Sequence, residues 1–334
     1  MVKSRLLIFL LILSIQSCKT QTSKINGVSF VASRDQINET HIEPLVALNA
    51  NYAAVMPFGF IRDLAHPNIV YNTNRQWFGE TREGAKQYMG RLREKRIKIM
   101  LKPQIWVWRG EFTGFIEMKN EEDWRVLEES YSKFILDYAE LAQEQNVAVF
   151  CIGTELEKFI HNRPQYWELL INEIKKVYKG KLTYAANWDE FKRTPFWNTL
   201  DYIGVDAYFP VSERKTPTIL ECLEGWKMHK KVISDLSKEY NKPVLFTEFG
   251  YRSVDYTGKE PWKSDKSIDQ VNMEAQTNAL QALFETFWTE DWFAGGFIWK
   301  WFHDHERAGG VNNNRFTPQN KPAEVIIKAQ YSSK

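Results

Sequence analysis

Cysteine is scarce in this chain of 334 residues, with three in all. Cys18 lies just past an apolar leader, while Cys151 and Cys222 sit in apolar segments that suit small buried side chains. So few cysteines exclude a disulfide scaffold and leave open one bridge between Cys151 and Cys222. Histidine is also scarce, at six. The stretch "HDHE" (303–306) has no second ligand cluster at metal spacing, so no metal site is expected there, and substrate contact or loop structure explains it better. Beyond residue 24 there is no linker, low-complexity tract or block of like charge. An excess of either charge is missing too: without a leader carrying Lys3 and Arg5, 42 basic residues face 42 acidic ones. A neutral body gives no reason to expect nucleic-acid binding.

Long apolar runs are confined to the start. "MVKSR" is basic, "LLIFLLILSI" is apolar and "QSC" ends the run, which is too short and too abruptly closed to span a bilayer. Residues 1–17 are therefore expected to be a signal peptide. Cys18 after Ser17 resembles a bacterial lipoprotein cleavage site, although Gln16 departs from the commonest pattern. The expectation is a lipidated Cys18, a tether to residue 23 and a catalytic domain over 24–334. This implies a place in the bacterial cell envelope, periplasmic or surface-facing, with membrane contact through the lipid alone, and a monomer is expected. An ordinary secreted protein is the alternative.

What the chain does have is aromatic surface, with 13 Trp, 14 Tyr and 21 Phe. Most of the Phe suit core packing, whereas Trp beside polar loop residues offers flat faces for sugar rings. The chain also alternates. Apolar runs at 25–32, 52–58, 97–103, 147–153, 181–187, 201–208, 242–250 and 293–301 are each followed by a helical pattern or a stub of one. Eight such units predict an α/β fold, a single-domain (β/α)8 TIM barrel. A doubly wound open sheet is the rival, and it lacks the Gly-rich phosphate fingerprint after its first strand.

In such barrels the chemistry sits at the carboxyl ends of the strands. Those ends carry Lys102 and Gln104 with Trp106 beyond, then Glu155, Asn187 with Trp188, Asp206 with Tyr208, Glu248, and Trp299 with Trp301. A lone Asp or Asn after a strand is commonly a turn former or a helix cap. Glu is a poor turn former, yet it closes two apolar strands, at 155 and 248. A helix-end charge also accounts for Glu155 taken by itself. Two carboxyls converging on a pocket fit glycosidic cleavage, in which one donates a proton and the other attacks or activates water. Glu157, two residues beyond Glu155, points elsewhere if a helix starts there, and is left out of the pair.

"GTELEKF", "TEFGY" and "GGFIWKW", in this strand order, resemble the retaining glycoside hydrolases whose acid/base follows strand four and whose nucleophile ends strand seven. Within that clan the chain is most similar to the family 113 β-mannanases, over nearly all of residues 24–331. The resemblance implies a TIM barrel that hydrolyses β-1,4-mannan, glucomannan or mannooligosaccharides internally, with no metal cofactor. It assigns Glu155 as acid/base and Glu248 as nucleophile. Tyr208 would hydrogen-bond the nucleophile and Trp299 would lie under the sugar at the cleavage point. Asn187, Lys102, Trp106, Asp206 and Trp301 would line subsites. Thr154 stands where many relatives in the clan have Asn, which leaves the contact to the sugar 2-hydroxyl open, with Asn187 a substitute. Two rivals remain: a β-glucanase or xylanase with the same pair, and a glycan-binding lipoprotein, which would have no need of both glutamates.

Overall fold

The computed structural model describes residues 23–264 and 270–333. The expected signal peptide at 1–17 and Cys18 lie outside the described residues. In chain order the elements are β1 (Ile25–Phe30), α1 (Glu39–Ala47), β2 (Tyr52–Val55), β3 (Phe58–Ile61), α2 (Arg82–Glu94), β4 (Lys98–Leu101), β5 (Gln104–Val107), α3 (Glu121–Glu144) and β6 (Val149–Thr154). They continue with α4 (Glu157–Asn162), α5 (Pro164–Val177), β7 (Lys181–Asn187), β8 (Ile203–Asp206), α6 (Ile219–Tyr240), β9 (Val244–Phe249), α7 (Met273–Phe287), β10 (Phe293–Trp301) and α8 (Pro322–Ser332).

Eight strands close into a barrel in the order β1-β2-β4-β6-β7-β8-β9-β10, and every pair is parallel. The open-sheet alternative is thereby excluded. The strands read as near-continuous apolar runs because helices cover one face and the barrel interior fills the other. Ile25, Ala54, Met100, Val149, Leu245 and Phe297, one from each of six strands, form a separate small apolar cluster. Side chains alternate along a strand, so Lys102, two residues past Met100, shares its face. A much larger cluster joins strands to helices, with Trp167, Trp197 and Trp226 fully buried in it. Six of the 13 tryptophans are buried, and the other seven are partly or largely exposed.

Local chemistry sets the helix ends. Asn120 caps α3 by accepting from the Asp123 N–H, and Thr218 with Glu221 forms a capping box at α6. The chain departs from the expected pattern in two places. Residues 58–61 and 104–107, at and beyond the ends of the expected 52–58 and 97–103 strands, pair with each other as a two-stranded parallel ribbon. "FGFI" and "QIWV" alternate in burial, as strands exposed on one side do. The stub after β7 is a single 3-10 turn at Trp197–Thr199. Cys151 and Cys222 are both free and buried, so no bridge joins them.

Candidate active site

β6 delivers Glu155, and the backbone turns sharply there. Glu155 has φ +50°, a left-handed conformation that a side chain other than glycine rarely adopts. Its N–H donates to the Ala185 carbonyl at 2.8 Å, and its own carbonyl accepts from Thr113 Oγ1 at 3.0 Å. Leu156, not Glu155, occupies the cap position of α4, without a side-chain cap bond. Glu155 is therefore not a helix-end charge. That role falls to Glu157, the first residue of α4, which pairs with Arg193 at 2.8 Å.

β9 delivers Glu248. A register shift against β8 falls between Val205–Phe246 and Asp206–Glu248, and such bulges re-aim side chains at barrel rims. Both oxygens of this buried carboxylate act as acceptors. Oε1 takes the Lys102 ammonium at 2.5 Å and Gln104 Nε2 at 3.3 Å, and Oε2 takes the Tyr208 hydroxyl at 2.7 Å. Lys102 also reaches Asp206 Oδ1 at 3.2 Å, and Thr247 Oγ1 donates to that same oxygen at 2.7 Å.

The electrostatics follow from the Lys102 ammonium lying among buried carboxyls. Burial acts to lower the ammonium pKa of Lys102, but the charges of Asp206 and Glu248 outweigh it and raise it. Burial, then the nearby charge of Glu248, pushes Asp206 up to about 7, against the restraint of Lys102 and Thr247. Glu155 is raised well above the usual carboxylate range, first by the water-excluding walls around it and then by the negative charges of Asp206 and Glu248. Lys102 opposes that rise. The mouth thus holds a carboxyl biased toward its protonated form beside a carboxylate gripped by three donors.

Lys102 and Asp206, expected as sugar contacts, are both 0% exposed. They lie beneath Glu248 and support it, because two buried opposite charges must be paired. Trp301 is likewise corrected. It is 0% exposed and packs in the core, its ring 5.5 Å from that of His305. The physical cause is a bulge: between the pairs Val28–Ile298 and Phe30–Trp301, β10 spends three residues where β1 spends two. That breaks the alternation that would place Trp299 and Trp301 on one face.

Trp299 is half-buried and packs close to strand β9, where a Cβ on Gly250 would meet the Trp299 carbonyl oxygen at 2.6 Å. Its peptide bond to Lys300 is cis, and the Lys300 ammonium lies 5.3 Å from its ring. Trp106 projects from the β5 ribbon and is 48% exposed. Asn187 is half-buried, with its Oδ1 accepting from the Trp188 N–H at 2.8 Å, and Trp188 stacks on Trp262 at 5.0 Å. Sequence reasoning passed over Gln104, Thr113, Tyr184, Glu190 and Thr247 as site residues. For Gln104 a signal existed, since it follows β4 by three residues. The "HDHE" segment sits apart: His303 packs against the ring of His41 at 5.0 Å and His305 pairs with Glu324 at 2.8 Å. Among the described residues no group of three or more His, Cys, Asp or Glu could hold a metal ion.

A closed parallel barrel with paired carboxyls and tryptophans at the carboxyl ends of its strands has the build of a TIM-barrel glycosidase. Residues 32–321 match the model of Glycoside Hydrolase Family 113, and the chain belongs to that family. It is a glycoside hydrolase, and its substrate is a carbohydrate. Among solved structures it is similar to the GH113 β-mannanase AaManA from Alicyclobacillus acidocaldarius in complex with ManMIm, at 22% identity and TM-score 0.81, covering 92% of this chain and 97% of that one. A complex of a GH113 β-1,4-mannanase matches at 24% identity and TM-score 0.80, covering 93% and 99%. The β-glucuronidase from Ruminococcus gnavus matches at 15% identity and TM-score 0.62, covering 92% of this chain and 50% of that one. At these identities the likeness carries the fold. No curated protein matches the chain.

Proposed function

We propose that this chain is a retaining endo-β-1,4-mannanase acting on β-mannan, glucomannan or mannooligosaccharides. Family membership and the mannanase fold relatives support the substrate. The observation that carries the mechanism is the opposite treatment of two glutamates in one barrel mouth: Glu248 accepts from three donors, while Glu155 is pushed toward its neutral form.

In the first step a Glu248 oxygen attacks the anomeric carbon as its bond to the leaving oxygen breaks, and Glu155 passes its proton to that oxygen. The product is a glycosyl ester on Glu248 and an ionised Glu155. In the second step Glu155 takes a proton from water, whose oxygen attacks the same carbon and frees Glu248. Both groups return to their starting state. Such retention requires carboxyl groups about 5–5.5 Å apart. Tyr208, Gln104 and Lys102 orient the nucleophile, Trp299 forms the platform under the sugar at the cleavage point, and Asn187 and Trp106 reach sugars around it.

Hydrolysis of mannohexaose followed by NMR tests substrate and stereochemistry together. The expected result is internal cleavage with the β-anomer appearing first. An initial α-anomer would overturn retention, and cleavage of cello- or xylohexaose with mannohexaose left intact would overturn the substrate. The proposal extends to export and lipidation at Cys18, giving a monomeric envelope enzyme. Cys18→Ala should then release the protein from the membrane fraction, and a variant still sedimenting with membranes would refute the anchor.

A further inference from the structure

Behind Glu155 lies a buried polar chain with no part in the two-step mechanism. The N–H of Leu156, the residue directly after Glu155, donates to the Tyr184 hydroxyl at 2.6 Å. That hydroxyl donates in turn to Glu190 Oε1 at 2.9 Å. The other oxygen of Glu190 accepts the N–H of Asn187 at 3.1 Å, so a single carboxyl ties together the ends of β6 and β7. Tyr184 and Glu190 are 0% and 1% exposed. We propose that Tyr184 and Glu190 are positioning residues that hold Glu155 for proton transfer, an inference that rests on the reading of Glu155 as the acid/base.

Packing alone does not explain them. Tyr184 sits among the rings of Trp167, Phe196 and Trp197, where Phe would fill the same space. A buried hydroxyl and a buried carboxyl both carry a desolvation cost, met only by hydrogen bonds. Here those bonds come from the N–H of Leu156, directly after Glu155, and the N–H of Asn187 at the end of β7. Glu155 needs such restraint, because a left-handed backbone at a side chain other than glycine persists only where its surroundings over-determine it. Ala185 O, Thr113 Oγ1 and Tyr184 Oη fix the peptide units on both sides of Glu155. A proton donor misplaced by about 1 Å can lose on the order of 100-fold in rate.

The chain also couples charge to Glu155. Asp206, Glu248 and Glu190 face it and raise its pKa beyond the effect of burial, with Lys102 opposing. Glu190 is itself pushed up to about 8, first by burial and then by Glu157 and Asp206, against the hydrogen bonds from Asn187 and Tyr184. Glu157 in turn is paired with Arg193. Removing the ionisable group at 190 therefore lowers the pH at which Glu155 loses its proton.

The test compares kcat/KM on mannohexaose, whose leaving group needs a proton, with kcat/KM on a 2,4-dinitrophenyl β-mannooligoside, whose leaving group needs none. Tyr184→Phe and Glu190→Gln should each lose about 10- to 100-fold on mannohexaose and lose little on the activated substrate. Glu190→Gln should also move the alkaline limb of the mannohexaose profile to lower pH. Equal losses on both substrates, or no loss on either, would overturn the proposal. If Tyr184→Phe fails to fold on thermal melting, Glu190→Gln decides: its amide keeps the volume but can accept only one of the two bonds, from Tyr184 or from the Asn187 N–H, so the chain is broken at one end. Glu155→Ala is run beside them. If it also lowers both substrates equally, the acid assignment falls and the positioning role falls with it.

Discussion

The two glutamates occupy the same mouth and are held in opposite ways. Glu248 is gripped by its side chain: ammonium, amide and phenol all donate to its oxygens from below and beside it. Glu155 is gripped by its backbone, and no described side chain donates to its carboxyl. Its peptide units are fixed by Ala185, Thr113 and Tyr184. A nucleophile gains from donors that orient its charged form. A proton donor gains from surroundings that keep it neutral and leave its oxygens free for the substrate. The difference between the grips is the difference between the proposed roles.

Removing the two carboxyls in turn should break that comparison most severely. Glu248→Ala is expected to lower kcat on the order of 10⁴- to 10⁶-fold, the range for a lost nucleophile or its partner, with oligosaccharide binding kept by calorimetry. Glu155→Gln should cost about 10²- to 10⁴-fold on mannohexaose and far less on a dinitrophenyl glycoside. The pH profile carries the sign: because Glu155 is raised, activity on mannohexaose persists past the usual carboxylate range and falls as pH rises through its pKa. Lys102→Met should strike stability as well as rate, since it leaves Asp206 and Glu248 buried without their cation. A loss of about 3–5 kcal/mol by urea unfolding is expected. The smallest effect on catalysis should separate the two tryptophans of interest. Trp106→Ala should raise KM with kcat little changed, whereas Trp301→Ala should destabilise the fold by about 3–5 kcal/mol.

A gentler probe concerns Asp206. Its pKa in the fold lies near 7, above the ordinary 3.8. The folded state therefore binds more protons across that window, so this residue's contribution to stability falls as pH rises through it. Asp206→Asn should flatten the stability–pH curve there, as measured by unfolding at stepped pH.

Much of this was legible in the sequence because it is local. Apolar runs alternating with helical patterns marked all eight barrel strands, and a glutamate ending each of two runs stood out against the turn formers found elsewhere. Other features depend on partners far along the chain. Lys102 meets Asp206 and Glu248 across separations of 104 and 146 residues, so its burial as an ion pair leaves no local trace. Trp299 and Trp301 looked equivalent by the period of two, and only the bulge against β1 separates them. Tyr184 lay inside an apolar strand and Glu190 in a polar turn, so neither showed that its polar atoms serve the strand next door.

The most direct test of the opposed roles is chemical rescue by azide. With an activated β-mannoside, Glu248→Ala should yield the α-mannosyl azide, because azide takes the place of the missing nucleophile. Glu155→Ala should yield the β-mannosyl azide, because azide intercepts the ester on Glu248. The same anomer from both variants, or the two assignments reversed, would contradict the account.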